Sequence, residues 1–370
     1  MTKLSLGYIP LTDAAPLIAA HEIGFAAEEG LSLTLRPAPS WSALRDMLRA
    51  GQVAAAHMLS PVPVAAALGL GGTGAPLSAV SVLSVNGNVI GVSAALATRM
   101  QAAGCGFPFS DAAAAGRAVF DAATGPLRLG VPFPFSMHME LITYWLAALG
   151  LYTPDRISIR TVPPPLMGAA LRDGKIDAFC VGEPWGSAAV ESGLGTLILP
   201  GSAIWALAPE KVLAMHTPWA EDNPDTAARL IRALWRAGRW LAKPGSRTLA
   251  AELLSRPGYL NLAPEIIDRA LNGRLVISAG GAERQVPGFL EFHGDAAALP
   301  RPAHAEWIGA RLAARYGLDA AQAARRARTV FRSDIFRTAL EGTSAILPAP
   351  GADTRPDGFF DRREFSLQRG

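Results

Sequence analysis

The strongest constraint on the fold is a regular alternation of short apolar strands with capped helices through the first 86 residues. Leu4–Tyr8 has strand character. Thr12 or Asp13 then caps a helix that carries Pro16 in its first turn and runs to Glu29, where Gly30 stops it. The segment 31–37, LSLTLRP, alternates apolar and polar residues as a half-buried strand does. A short helix over Trp41–Ala50 closes at Gly51, QVAAAHML forms a buried strand, and a helix at 61–69 and a strand at 79–85 follow. Such an order predicts a parallel sheet with helices on its faces.

The pattern restarts after residue 110. A helix at 110–124 precedes a strand at 127–133, a helix capped by Ser136 and a strand at 157–162. A short helix, the buried strand IDAFCV, the helix EPWGSAAVES and the strand TLILP complete this second unit. KVLAMH at 211–216 reads as one further strand. From there helical periodicity dominates, at 224–243, 247–255, 264–273, 303–316 and 319–329, before a Pro/Gly-rich tail expected to wrap the surface. The simplest architecture has two α/β lobes: 1–93 with 206–370, and 94–205. The chain crosses between them near 90–95 and 200–208, and the ligand cleft lies where the strand ends of the lobes meet.

Composition narrows the function. Lys and Arg outnumber Asp and Glu by only three in 370 residues. The arginines are spread along helix faces such as RLIRALWRAGRW, which disfavours direct nucleic-acid binding. Two separated cysteines, Cys105 and Cys180, offer neither a disulfide framework nor metal spacing, and the six histidines do not pair as ligands. No apolar run reaches the roughly 20 residues of a membrane span. The first strand begins almost at Met1 without a signal sequence ahead of it, so a cytoplasmic location is expected.

Polar residues gather at the strand ends. They include Thr12 and Asp13, Ser40 to Ser42, His57 and Ser60, Asn86 and Asn88, Ser136 and His138, Pro163, Glu183 and Trp185, and Lys211. G-x-S-x-G is absent, and neither G-x-G-x-x-G nor a P-loop opens a helix after a strand, so enzyme chemistry is not indicated. What remains is a set of donors: ammonium, imidazole, indole N–H, amide and helix N-terminal N–H groups. Donors converging on a cleft suit a small anion. Each residue also has a plain structural reading. Trp41 and His57 would serve as core residues, Glu210 and Lys211 as a solvated pair, Cys180 as a strand residue, and GEPWG as a turn with Trp185 at a hinge.

Taken in order, GYIPLTDAAPLIAAHEIGF, PSWSALRDML, AHMLSPVP, VPPPLM and DAFCVGEPW resemble the family of nitrate-binding NrtA and nitrate/nitrite-sensing NasS proteins. That family also holds the bicarbonate-binding CmpA. The resemblance runs from about residue 4 to about 220, and GFFDRREF is similar to the family's closing segment. It implies a type II periplasmic-binding-protein fold closing on a small oxyanion without cofactor or metal. The ligand-holding Trp, His and Lys of the nitrate binders match Trp41, His138 and Lys211. Their Gln matches Asn88, which keeps an amide donor on a shorter stem. Ser42, Pro163 and Glu183 are assigned to the same cleft. Bicarbonate binders carry an acid at the place of Lys211, so the resemblance favours nitrate or nitrite.

The same resemblance divides the function two ways. NasS-type sensors stay in the cytoplasm and hold an ANTAR-type antiterminator, NasT, until nitrate or nitrite releases it. Transport relatives are exported and serve an ABC importer. With the first strand beginning at Leu4, the expectation is the sensor, with the importer subunit as the alternative.

Overall fold

The computed structural model describes residues 1–363 and 365, apart from 73, 244, 294–296 and 350–357. The first repeat of strand and helix builds a sheet from β1 (Thr2–Tyr8), β2 (Leu31–Pro37), β3 (Ala55–Leu59) and β4 (Leu77–Asn86). The second builds another sheet from β5 (Asn88–Ser93), β6 (Leu127–Val131), β7 (Ile157–Thr161), β8 (Ala178–Gly182) and β9 (Gly195–Pro200). β10 (Pro209–His216) returns to the first sheet, whose order is a short strand Leu290–Glu291, then β4-β10-β3-β1-β2; the second runs β7-β6-β8-β5-β9. Every residue of β3, β4, β8 and β9 is buried, as continuous apolar strands covered on both faces should be.

Two expectations change. First, neither sheet is wholly parallel. β10 enters from the second lobe and therefore runs antiparallel to both β3 and β4, while β5 runs antiparallel to β8 and β9. Second, the first crossing falls at Gly87, so residues 88–93 hydrogen-bond within the second sheet and not in the first lobe. The cause is local. Asn86 (φ 63°) and Gly87 (φ 91°) are both left-handed, which turns the strand out of its sheet. A Cβ on Gly87 would also sit 2.8 Å from Leu290 Cδ1, so the leucine side chain would have to shift.

The two crossings are tied to each other. Asn86 Nδ2 donates to the carbonyls of Ala206 (2.7 Å) and Gly288 (3.1 Å), and Asn86 Oδ1 accepts from Ala208 N–H at 3.1 Å. The second crossing, 201–208, lies where the sequence placed it.

The first helix is interrupted. It spans Ala15–Glu22, and Gly24 (φ 98°) breaks it before a short turn at Phe25–Glu28. The later helices Pro224–Leu241, Ser246–Leu254, Pro264–Asn272, Pro302–Tyr316 and Ala320–Arg328 match the periodicity. Helix Pro224–Leu241 buries Leu230, Ile231, Leu234, Trp235 and Leu241. At about 1.5–3 kcal/mol for each large apolar side chain, that stripe fixes it to the first lobe. The expectation for the tail falls partly on 350–357, outside the described residues. Beyond them Phe359 is buried against Trp205, Tyr144 and Trp307, so the closing segment plugs into the core beside the second crossing.

Candidate anion site

The strand topology delivers polar side chains to one place. β1 ends at a turn, Thr12–Ala14, that precedes helix Ala15–Glu22 and carries Asp13. β3 carries His57 at its middle position. β5 begins with Asn88, paired with Gly182 at the end of β8. β10 begins Pro209–Glu210–Lys211, and Lys211 pairs with Leu59 at the end of β3. Helix N-termini supply the rest. Ser40 caps helix Trp41–Arg49, its Oγ accepting from Ala43 N–H at 3.2 Å, and so places Trp41 as the first helical residue. Ser136 caps helix Met137–Ala148 in the same way, its Oγ accepting from Met139 N–H, and places His138 in the first turn.

The resulting cluster is closed to water. Asp13, Trp41, His57, Asn88, His138, Glu210 and Lys211 are each no more than 2% exposed. Lys211 Nζ lies 2.7 Å from Asp13 Oδ2 and 2.9 Å from Glu210 Oε1, and 5.5 Å from the centre of the Trp41 ring. Asn88 Nδ2 donates to Glu210 Oε2 at 2.6 Å. His138 Nδ1 is 3.4 Å from Glu210 Oε1, and His57 Nε2 is 3.0 Å from Asp13 Oδ1. The lobes also meet at the residues just before Asp13 in the chain. Thr12 donates its N–H (3.0 Å) and Oγ–H (2.9 Å) to the carbonyl of Glu183, and Trp185 Nε1 donates to the carbonyl of Pro10 at 3.1 Å.

Burial and pairing set the charges. Burial alone would raise Asp13, but Lys211 and then His57 outweigh it and hold the carboxyl low. Burial would likewise lower Lys211, and its two carboxylates outweigh that, so the ammonium is kept. Burial wins at Glu210, which is raised. At His57 burial also wins over the attraction of Asp13, and the ring is harder to protonate than usual. At His138 burial and the nearby Lys211 together push the ring well below its ordinary value. With neutral histidines, two carboxylates face one ammonium.

Several donors in this dry space have no hydrogen-bond partner: Trp41 Nε1 and, by tautomer, His138 Nε2. Asn88 Oδ1 is unpartnered too. A buried donor without an acceptor costs about 1–3 kcal/mol, which an oxyanion accepting from both would offset.

Of the residues assigned from sequence, Trp41, Asn88, His138 and Lys211 are therefore brought together. Asn88 differs from expectation, because one of its amide hydrogens is given to Glu210 and its oxygen is left without a partner. The reading of Glu210 and Lys211 as a solvated pair is overturned, since both are fully buried. Ser42 is half-buried and bonds Ser40 Oγ at 3.0 Å, as part of the helix cap. Pro163 is half-buried after β7, an edge strand separated from β5 by β6 and β8. The Glu183 carboxylate turns back onto its own helix. Its Oε2 accepts from Ser187 N–H at 3.1 Å, and only its backbone carbonyl reaches the first lobe.

Asp13, His57 and Glu210 join the cluster without having been assigned to it. Asp13 reads as a helix cap and His57 as a core residue. The available signal was context: PEKVLAM sets an acid and a base at the start of an otherwise apolar strand, where both must be buried together.

Two lobes joined by two crossings, with a closed polar site between them, define a binding protein of the type II periplasmic-binding-protein class. The chain belongs to the NMT1-like family, whose model matches residues 1–255. The nitrate/nitrite binding protein NrtA of Nostoc is 33% identical over 316 residues, covering 83% of this chain and 69% of that protein. The nitrate import ATP-binding protein NrtC of Synechococcus elongatus is 34% identical over 348 residues, and this chain spans about half of it (51%). The crystal structure of the periplasmic nitrate-binding protein NrtA from Synechocystis superposes with a TM-score of 0.86 at 29% identity, covering 99% of this chain and 95% of that one.

Proposed function

We propose that this protein binds nitrate or nitrite by closing its two lobes on the anion. The observation that carries the reading is the pair of unpartnered donors, Trp41 Nε1 and His138 Nε2, buried beside Lys211 at the interlobe surface. Nitrate and nitrite present acceptor oxygens and no donor, which matches that pair. The nitrate and nitrite binding of the NrtA relatives supports the same ligand. Lys211, where bicarbonate binders carry an acid, weighs against bicarbonate. The anion is bound and released unchanged; no reaction is part of the reading.

Several bonds join the lobes away from the cleft, among them Arg315 to Glu140 at 2.7 Å and Tyr144 to Asp361 at 2.8 Å, and only a few close the cleft itself. The Thr12 and Trp185 contacts across the cleft are worth about 0.5–1.5 kcal/mol each, so a ligand touching both lobes can shift the open-closed balance. We further propose that this shift is read in the cytoplasm by a NasT-like ANTAR antiterminator, released when the anion binds. GYIPLTDAAP and DAFCVGEPW resemble a family that includes such sensors as well as transport proteins, which is compatible with this role. The importer components among the relatives support the alternative, the binding subunit of a nitrate importer.

Calorimetric titration with nitrate, nitrite and bicarbonate tests the ligand. Saturable binding of nitrate or nitrite with bicarbonate silent is expected; binding of bicarbonate alone would refute it. Co-purification with an ANTAR partner, lost on adding the anion, then tests the sensor role. Capture by an importer's membrane subunits instead would establish the alternative.

A further inference from the structure

The charges of the site do not balance for an anion. Lys211 is already shared by Asp13 Oδ2 at 2.7 Å and Glu210 Oε1 at 2.9 Å, in a space where all three side chains are at most 3% exposed. An anion held by Trp41 and His138 would bring a third negative charge to one ammonium. Buried net charge of that kind is not sustained; the groups change protonation instead.

We propose that the site takes up its oxyanion together with one proton, held on His138 between Glu210 and the anion. The inference rests on the anion-binding reading above. The geometry allows the bridge: both ring nitrogens of His138 lack a hydrogen-bond partner, Nδ1 lies 3.4 Å from Glu210 Oε1, close enough to bond it once protonated, and Nε2 is on the other edge of the ring. A protonated ring donates from both nitrogens, one N–H to the carboxylate and one to the anion. In the empty site the ring is neutral, because burial and Lys211 disfavour its charge. The arriving anion reverses that balance and draws a proton from solvent. Asp13 and Glu210, which flank Lys211, thereby set how many protons accompany the anion.

Glu210, which burial raises, is the competing site for this proton, and a His138 imidazole NMR signal that stays neutral on anion binding would overturn its placement on the ring. The remaining titratable groups facing the site do not replace it. His57, from β3, lies against Asp13 with its own pair. Cys180, from β8, is held as the neutral thiol by burial and by Glu210. Lys211 stays charged in both states.

The test is calorimetry of the full chain with nitrate and with nitrite between pH 6 and 9, each in two buffers of different ionisation enthalpy. Neither anion takes a proton of its own in that range. We expect close to one proton taken up per anion and, at the alkaline end, about a tenfold loss of affinity per pH unit. Glu210→Gln removes one carboxylate charge, so proton uptake should fall towards zero and alkaline affinity should persist. Asp13→Asn should act in the same direction and serves if Glu210→Gln does not fold. Saturable wild-type binding with the same heat in both buffers and no pH dependence would overturn the proposal and leave the anion reading standing. Binding of neither anion at any pH would overturn both.

Discussion

Replacing Lys211 by Met removes the only ammonium from the buried cluster and leaves the carboxylates of Asp13 and Glu210 facing each other. At an effective dielectric of about 20, each contact at 2.7–2.9 Å is worth about 6 kcal/mol before desolvation. Desolvation absorbs much of that, and removing one partner from a buried pair costs about 3–5 kcal/mol. We expect urea denaturation at pH 8 to show a loss in that range. The pH dependence gives the sharper check. Without Lys211, burial raises both carboxyls above their unfolded values, so the variant's native state binds more protons than its unfolded state. Stability then falls as pH rises through the interval between the unfolded and folded values. The deficit against wild type should therefore shrink on going from pH 8 to pH 5, by up to about 1.4 kcal/mol per pH unit for each carboxyl that titrates. A deficit below about 1 kcal/mol, or one that is equal at both pH values, would refute the view that Lys211 neutralises a dry acidic pair.

Trp41→Phe keeps the ring but deletes the unpartnered indole N–H. It should weaken nitrate or nitrite about tenfold, the scale of one hydrogen bond to an anion, with an unchanged circular dichroism spectrum. Glu183 is buried, and burial pushes its carboxyl up to about 7 from 4.5. Its folded value is raised, so its contribution is most favourable below pH 4.5 and is lost as pH rises through 7. Glu183→Gln should abolish that pH dependence and stabilise the protein at pH 8, read by thermal melting. Glu140, fully buried on the helix that carries His138, pairs with Arg315 at 2.7 Å across to helix Pro302–Tyr316. Glu140→Leu should cost about 3–5 kcal/mol in urea, because Arg315 and Arg311 lose their shared counter-charge.

The sequence was most informative where structure is local. The helix ending at Gly51, the cap at Ser136, and the apolar runs of β3, β4 and β8 could all be placed because each is set by neighbours along the chain, whereas the break at Gly24 in the first helix was not. The topology of β5 and β10 could not. Their antiparallel pairing follows from where the chain crosses between lobes, and the first crossing depends on a left-handed pair, Asn86–Gly87, that looks like an ordinary turn. The same distinction holds at the site. Trp41, His138 and Lys211 were assigned through ordered resemblance, whereas Asp13 was hidden because its partner 198 residues away leaves no periodic mark, and Glu210, next to Lys211 in the chain, read as half of a solvated pair because burial is not a local property.

That gap has a physical consequence. Lys211 alone looks like a fixed positive charge awaiting an anion, and Coulomb attraction would then explain binding at any pH. With Asp13 and Glu210 beside it, the ammonium is already neutralised, and what the cleft offers an anion is mainly N–H groups held in place by strand ends and helix caps. Binding strength must then come from donors that water cannot reach and from a proton that arrives with the ligand. An anion touching Trp41 on one lobe and His138 on the other does so only when the lobes are closed. Ligand recognition and closure are therefore one equilibrium, and whatever reads the closed form reads the anion.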